Sequence, residues 1–392
     1  MEGDLIKVNK LLLPFSWIYG MAVNLRNWFF NVGILKSKSY DIPVISVGNI
    51  TVGGAGKTPH VEYLTSLLQD KMKVAVLSRG YKRKSHGYRL ADADTTAADI
   101  GDEPLQMKLK HPNVYVAVDK KRCHGIERLV GDEETKDTDV ILLDDAYQHR
   151  YVKPGLNILL VDYHRLIIYD ELLPAGRLRE PQREQKRADI IIITKCPLNL
   201  KPMEYRVLYK TITPMAYQQV YYTTIAYDDL TPVFGDKTKT IAAGNVPQDT
   251  SVLLIAGIAS PEQMVNDVKR FSTNIQTMIF GDHHNFKKKD VRKINETFES
   301  LPSPKMIVTT EKDVARLINV SGLSDEVKAA MYVQPIHIEF MMGQKETFDK
   351  NILNYVKRKS TNSILAERKN VHKSSDSNNT RVGTGTISFR NN

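Results

Sequence analysis

Short, nearly continuous apolar runs alternate with amphipathic stretches through most of the chain. VISVG (Val44–Gly48), VAVLS (Val74–Ser78), VYVAV (Val114–Val118), VILLDD (Val140–Asp145), ILLVD (Ile158–Asp162) and DIIIIT (Asp189–Thr194) are dominated by Val, Ile and Leu. Such runs suit strands buried on both faces, as in a parallel sheet covered by helices. The alternation predicts a doubly wound α/β domain. Gln218–Asp228 alternates more strongly and reads as an antiparallel connector. VLLIAGI (Val252–Ile258), MIFGDHH (Met278–His284) and MIVTTEKD (Met306–Asp313) then predict a second, smaller α/β unit.

The N-terminal pattern differs. Leu11, Phe15, Ile18, Ala22, Leu25, Phe29 and Val32 recur at spacings of four and three, with Gly20, Asn24, Asn27 and Asn31 opposite. That is an amphipathic helix, and Pro14 suits its first turn. The longest uncharged run, between Lys10 and Arg26, is shorter than the roughly 20 residues a bilayer span needs. Trp17, Tyr19 and Trp28 are interfacial residue types, and Lys10, Arg26, Lys36 and Lys38 add positive charge. These features describe a helix lying in a membrane surface; the same periodicity also fits a core-packing helix. The expected organisation is a helix in 1–38, a P-loop domain in 39–215, a β connector in 216–250, a smaller domain in 251–356 and a disordered basic tail in 357–392.

Composition narrows the classes. In 392 residues, 42% are hydrophobic and 26% charged, which fits a globular chain. Cys123 and Cys196 are the only cysteines, so a disulfide framework and a zinc ribbon are excluded. The net charge of +10 resides at the ends: residues 1–40 hold five basic and two acidic side chains, and 357–392 hold eight and two. The body is close to neutral. This weakens a nucleic-acid reading and favours an anionic surface met by the termini.

VISVGNITVGGAGKTPH (Val44–His60) is the strongest motif: strand, glycine-rich loop, Lys-Thr, helix. Glycines let backbone N–H groups turn toward an anion, and the helix N-terminus adds partial positive charge. Thr51, Val52, Gly53, Gly54, Ala55, Gly56, Lys57 and Thr58 form the candidate nucleotide loop. Lys57 would reach the β/γ-phosphates and Thr58 would hold Mg²⁺. Thr51 stands where the general pattern G-x-x-x-x-G-K-[ST] has its first Gly.

Asp144 and Asp145 end an apolar strand and would meet water or metal beside the phosphates. GDEP (Gly101–Pro104) adds Asp102 and Glu103, which by themselves also fit a helix cap. Arg79-Gly80-Tyr81 follows a strand. GRLREP (Gly176–Pro181) offers Arg177, Arg179 and Glu180 for a phosphate clamp or an ordinary ion pair. Asp282-His283-His284 lacks standard metal-ligand spacing and better suits an Asp–His contact across a cleft. Thr310-Glu311-Lys312-Asp313 suits either a nucleotide contact or a helix cap. Thr194-Lys195-Cys196 is followed by Pro197 where a guanine reader has Asp, which favours ATP; Cys196 reads as a small buried residue.

Taken together, GNITVGGAGKTP, LSRGY, GDEP, LLDDAYQH, LLPAGRLREP and GDHH resemble, in that order, the tetraacyldisaccharide 4'-kinase (lipid A 4'-kinase) family of Gram-negative bacteria. The family's version of the loop accommodates Thr51. The resemblance implies ATP- and Mg²⁺-dependent phosphorylation of the 4'-hydroxyl of an acylated glucosamine disaccharide 1-phosphate in lipid A biosynthesis. It also implies a monotopic protein on the cytoplasmic face of the inner membrane, meeting anionic lipids. Carried onto matching positions, the base and its supporting histidine are Asp102 and His283, with His284 as the alternative. Glu103 and Asp145 become metal-side carboxylates with Thr58, and Lys57 and Arg179 serve catalysis. Ala146 replaces a Gly common in relatives. Two other readings of the motifs remain: a P-loop NTPase switch and a nucleotide-gated membrane adaptor, neither needing an acceptor.

Overall fold

In the computed structural model, residues 8–258, 261–282, 284–318 and 320–360 are described. The apolar runs form the strands β1 (Val44–Gly48), β2 (Val74–Ser78), β4 (Tyr115–Val118), β5 (Val140–Asp144), β6 (Leu156–Asp162) and β7 (Ile190–Thr194), with the short β3 (Arg89–Leu90) between β2 and β4. Joined by β8 (Gln219–Tyr227) and β14 (Ile336–Phe340), they make a nine-stranded sheet ordered β14-β8-β7-β6-β1-β5-β2-β4-β3. Only the edges, β14 and β3, run antiparallel to their neighbours. The buried positions on the two faces seat separate core clusters, as a doubly wound sheet requires.

The order places the site. β1 lies between β5 and β6, and the chain leaves it in opposite directions on the two sides. This reversal is the switch point at which doubly wound sheets bind ligands, beyond the carboxyl ends of the strands. In register, Val47 faces Asp144. The loop after β1 and the acidic end of β5 are therefore neighbours by backbone pairing alone.

A second sheet holds β9 (Thr231–Pro232), β10 (Ser251–Ala256), β11 (Asn274–Ile279), β12 (Lys305–Thr310) and β13 (Met331–Gln334), ordered β11-β10-β12-β13-β9. β11 begins before the apolar Met278-Ile279 and ends ahead of GDHH. As an edge strand it exposes most of its side chains, so its polar first half carried no hydrophobic signal.

The division between lobes differs from the expected one. β8, within the expected connector 216–250, pairs in parallel with β7 and belongs to the large sheet. β14 and the helix over residues 345–360 also return to the large lobe, although the sequence pattern grouped them with the small one. Phe348, Ile352 and Val356 of that helix are fully buried in the large core. The helix runs to residue 360, past the expected start of the tail; 361–392 lie outside the described residues. Two short links join the lobes, residues 228–230 and Pro335, and they bond to each other through Asp228 N–H and the Pro335 carbonyl at 3.1 Å.

The helix Leu13–Asn31 turns its polar side inward. Ser16, Gly20, Asn27 and Phe30 are its buried residues. The Ser16 hydroxyl donates to the Leu172 carbonyl at 2.9 Å, and Asn24 and Asn31 accept from Arg183 and Arg150. The apolar stripe faces out: Phe15 is 60% exposed, Ile18 61%, Leu25 53% and Trp28 52%. Among the described residues no helix is long and apolar enough to cross a membrane.

The position of the last helix yields a prediction. Ile352→Ala removes a fully enclosed side chain from the large core and should cost about 2–5 kcal/mol in denaturant unfolding. A loss below about 1 kcal/mol would show that residues 345–360 are peripheral.

Candidate active site

The phosphate loop is braced from one side. Val52 N–H donates to the Arg177 carbonyl and Arg179 N–H to the Ile50 carbonyl, both at 2.7 Å, around a Thr51–Leu178 bridge. Thr51 is thus extended backbone, which explains why the loop dispenses with a glycine there. Its hydroxyl accepts from Asn49 Nδ2 at 3.0 Å. Gly56, with φ of +80°, caps the helix Lys57–Gln69 in the left-handed region that glycine enters without strain. Residues 52–54 are exposed, so the loop amides border solvent at a helix N-terminus.

Behind the loop lies a cluster of alternating charge. Lys57 Nζ stands 3.4 Å from Asn49 Oδ1 and 3.7 Å from Asp145 Oδ1. Arg179 grips Asp145 with both terminal nitrogens, at 2.9 and 3.3 Å, and reaches the Asn49 carbonyl at 2.8 Å. Asp145 adopts φ of +46°, uncommon for a residue with a Cβ. Burial would raise its pKa, but Lys57, Arg179 and Arg122 outweigh it and push it down to about 2.

Asp144 has the opposite balance. Its carboxylate is enclosed and accepts from Ser78 Oγ at 3.1 Å, while its Oδ1 is buried without a hydrogen-bond partner. Burial, with repulsion from Glu103 and Asp145, pushes its pKa up to about 6 despite Lys57 and Arg122. An orphaned carboxylate oxygen beside two further carboxylates is an environment that a divalent cation would relieve. Among the described residues no three His, Cys, Asp or Glu side chains form a metal cluster by themselves.

Asp102 and Glu103 open the helix Asp102–Lys110, where the helix N-terminus favours carboxylates. The preceding Gly101 has φ of +95°, and a Cβ there would stand 2.8 Å from the Tyr81 carbonyl. The turn thus requires glycine and couples LSRGY to GDEP. Both carboxylates meet cations of the small lobe: Asp102 Oδ2 accepts from Arg316 Nε at 2.8 Å, and Glu103 Oε1 pairs with Lys312 Nζ at 2.7 Å.

Other expected residues fall elsewhere. Glu180 turns away from the loop and is buried against Arg187, with Asn27 of the N-terminal helix 3.4 Å distant. His284 packs on the Phe280 ring, and its Nε2 lies 3.0 Å from Asp290 at the start of the helix Lys288–Glu299. His283 lies outside the described residues. Cys196 is buried and its thiol is pushed up to about 12 by burial, as suits a packing residue. Sequence reasoning missed Asn49, Ser78, Arg122 and Arg316. Asn49 and Ser78 had a faint signal as polar residues at strand ends. Arg122, which donates to the Asp144 carbonyl at 3.1 Å, had none.

The raised pKa of Asp144 has a measurable consequence. An unfolded Asp titrates near 3.9, so between that value and about 6 the folded protein binds the extra proton. Its stability therefore falls as pH rises through this window, and the penalty is complete above it. Asp144→Asn should raise the melting temperature of the metal-free, nucleotide-free protein at pH 7–8, with the gain vanishing near pH 4. Equal melting curves at pH 8 would show that Asp144 carries no such penalty.

Comparison with known proteins agrees with this geometry. The family model for tetraacyldisaccharide-1-P 4'-kinase matches residues 8–357. The chain is 52% identical over 364 residues to the tetraacyldisaccharide 4'-kinase of Phocaeicola vulgatus, covering 93% of this chain and 99% of that protein. The Bacteroides thetaiotaomicron protein of the same name is 49% identical, covering 95% and 100%. A crystal structure described as the "apo" form of LpxK from Aquifex aeolicus in complex with ATP superposes with a TM-score of 0.70 at 28% identity, covering 89% of this chain and 99% of that one. The sequence, the switch-point loop and these relatives agree: the chain belongs to the tetraacyldisaccharide-1-P 4'-kinase family.

Proposed function

We propose that this protein transfers the γ-phosphoryl group of ATP to the 4'-hydroxyl of a tetraacylated glucosamine disaccharide 1-phosphate, at the cytoplasmic face of the bacterial inner membrane. One observation carries the reading beyond a generic P-loop enzyme. The outward apolar face of Leu13–Asn31 belongs to a helix whose inner side braces the phosphate site, with Tyr19 OH donating to the Arg179 carbonyl at 2.8 Å. The lipid-facing helix and the phosphotransfer segment are therefore joined directly, by this bond and by Arg26 donating to the Gln148 carbonyl at 2.8 Å. An acceptor with buried acyl chains and an exposed sugar needs that arrangement.

The chemistry divides among the residues. The amides of 51–58 and Lys57 hold the nucleotide phosphates, and Arg179 offsets charge that spreads over the moving group. Thr58, Glu103 and Asp145 are the side chains that would hold Mg²⁺, with the unpaired oxygen of Asp144 close behind. When bound, the ion neutralises charge on the β- and γ-phosphate oxygens. The sugar hydroxyl is a weak nucleophile. As its oxygen bonds to the γ-phosphorus and the bond to ADP breaks, its proton passes to Asp102. His283 is the histidine that the family resemblance assigns to support Asp102; His284 is already engaged by Asp290 and Phe280.

Radiolabel transfer from ATP to a detergent-dispersed acceptor, with Mg²⁺, tests the assignment. Asp102→Asn should lower kcat by about 10²–10⁴-fold with little change in the KM for ATP. Product NMR should place the phosphate on the 4'-oxygen. Full activity of the variant, or label on another position, would overturn the proposal.

The membrane part is tested separately. Phe15, Ile18, Leu25 and Trp28 changed together to Ser should abolish co-sedimentation with vesicles containing anionic lipid, since each buried side chain is worth about 1.5–3 kcal/mol. Turnover of a short-chain, water-soluble acceptor should be retained. Unchanged sedimentation would rule out this face as the membrane contact.

A further inference from the structure

Among the described residues, Arg316 is the small-lobe cation that reaches Asp102 from a buried position. It lies on the helix Glu311–Leu317, and its side chain is only 2% exposed. Its own lobe fixes its orientation: Nη1 donates to Asp313 Oδ1 at 3.0 Å and to the Gly257 carbonyl at 3.1 Å. Asp313 is wholly buried and accepts from Gly257 N–H at 2.9 Å and the Thr310 hydroxyl at 2.7 Å. The guanidinium is thus aimed before the lobes meet, and its Nε–H bonds to Asp102 across the boundary at 2.8 Å. The neighbouring contacts are of another kind. Lys312–Glu103 and Lys110–Glu311 retain solvent exposure at the lysine, as rim pairs do.

We propose that Arg316 is a positioning residue for phosphoryl transfer, holding the Asp102 carboxylate aimed when the two lobes are docked. The proposal rests on Asp102 being the proton acceptor. A carboxylate can accept a proton only if it is ionised and correctly directed. The guanidinium fork shares one charge between Asp313 and Asp102, which a lysine cannot match in geometry. Separation of the lobes withdraws Arg316, so an open enzyme would have a poorly directed base. That would limit loss of ATP to water before the acceptor is enclosed.

The test compares Arg316→Gln, Arg316→Lys, Asp102→Asn and the double variant Asp102→Asn/Arg316→Gln as full-length proteins with Mg²⁺-ATP and dispersed acceptor. Arg316→Gln should lower kcat about 10²-fold and leave the KM for ATP within about twofold. Arg316→Lys should restore part of the rate, with kcat between those of Arg316→Gln and the wild type. In the Asp102→Asn background, Arg316→Gln should add little further loss. A lower melting temperature with wild-type kcat would reduce Arg316 to a structural ion pair and overturn the proposal. So would equal losses in both backgrounds. If Arg316→Gln does not fold, Arg316→Lys decides: a kcat equal to the wild type overturns the proposal. Wild-type kcat in Asp102→Asn alone would instead show that Asp102 is not the acceptor, and both readings would fall.

Discussion

Three carboxylates crowd the carboxyl edge of the large sheet. Asp144 and Asp145 end β5, and Glu103 approaches from the helix after Gly101. Their repulsion is only partly offset by Lys57, Arg179 and Arg122. The split is unequal: Asp145 takes the cations and Asp144 takes the burial. Much of the surrounding architecture keeps these charges together. The β1–β5 register brings the strand ends alongside, the 177–179 segment straps the phosphate loop, and Asn49 ties Lys57 to Arg179. Anionic side chains gathered at the end of a cationic loop form surroundings that a divalent cation and a polyphosphate would relieve.

The two remaining parts of the molecule act on that centre from outside. The small lobe hangs on two short links and brings Lys312 and Arg316 against the GDEP helix. The N-terminal helix works by reversal of the usual amphipathic rule. Its Ser and Asn side bonds to the protein, so its apolar side is left outside. Burying polar groups inward is favourable only where they find partners, as Ser16, Asn24 and Asn31 do. A helix arranged this way gains nothing in water from its outer stripe, which is the physical basis of the proposed lipid contact.

The parallel strands could be read from the sequence because burial on both faces leaves uninterrupted Val, Ile and Leu. The loop motif could be read because strand, glycines and Lys-Thr must occur in that order. The convergence of Lys57, Asp145 and Arg179 followed from strand ends meeting at a switch point. The lobe boundary was not legible. β14 is short and follows β13 after Pro335 alone, so no break in composition marks the return to the large sheet. Edge strand β11 hid its start for the same reason that it exposes its side chains. Glu180 shows another limit: spacing placed it beside Arg179, but adjacent residues on an extended segment point to opposite sides. Arg316 left no signal, since its importance lies in contacts with Asp102, Asp313 and Gly257 that are far apart in the chain.

The central claim is that ATP turnover here belongs to transfer and not to hydrolysis. It is tested most directly by counting ADP and phosphorylated glycolipid in the same reaction, with and without the acylated disaccharide. The account predicts one product of each kind per turnover, and ADP formation that falls to background when the acceptor is withheld. ADP released at the same rate without acceptor would contradict it and make the protein a nucleotide-driven switch.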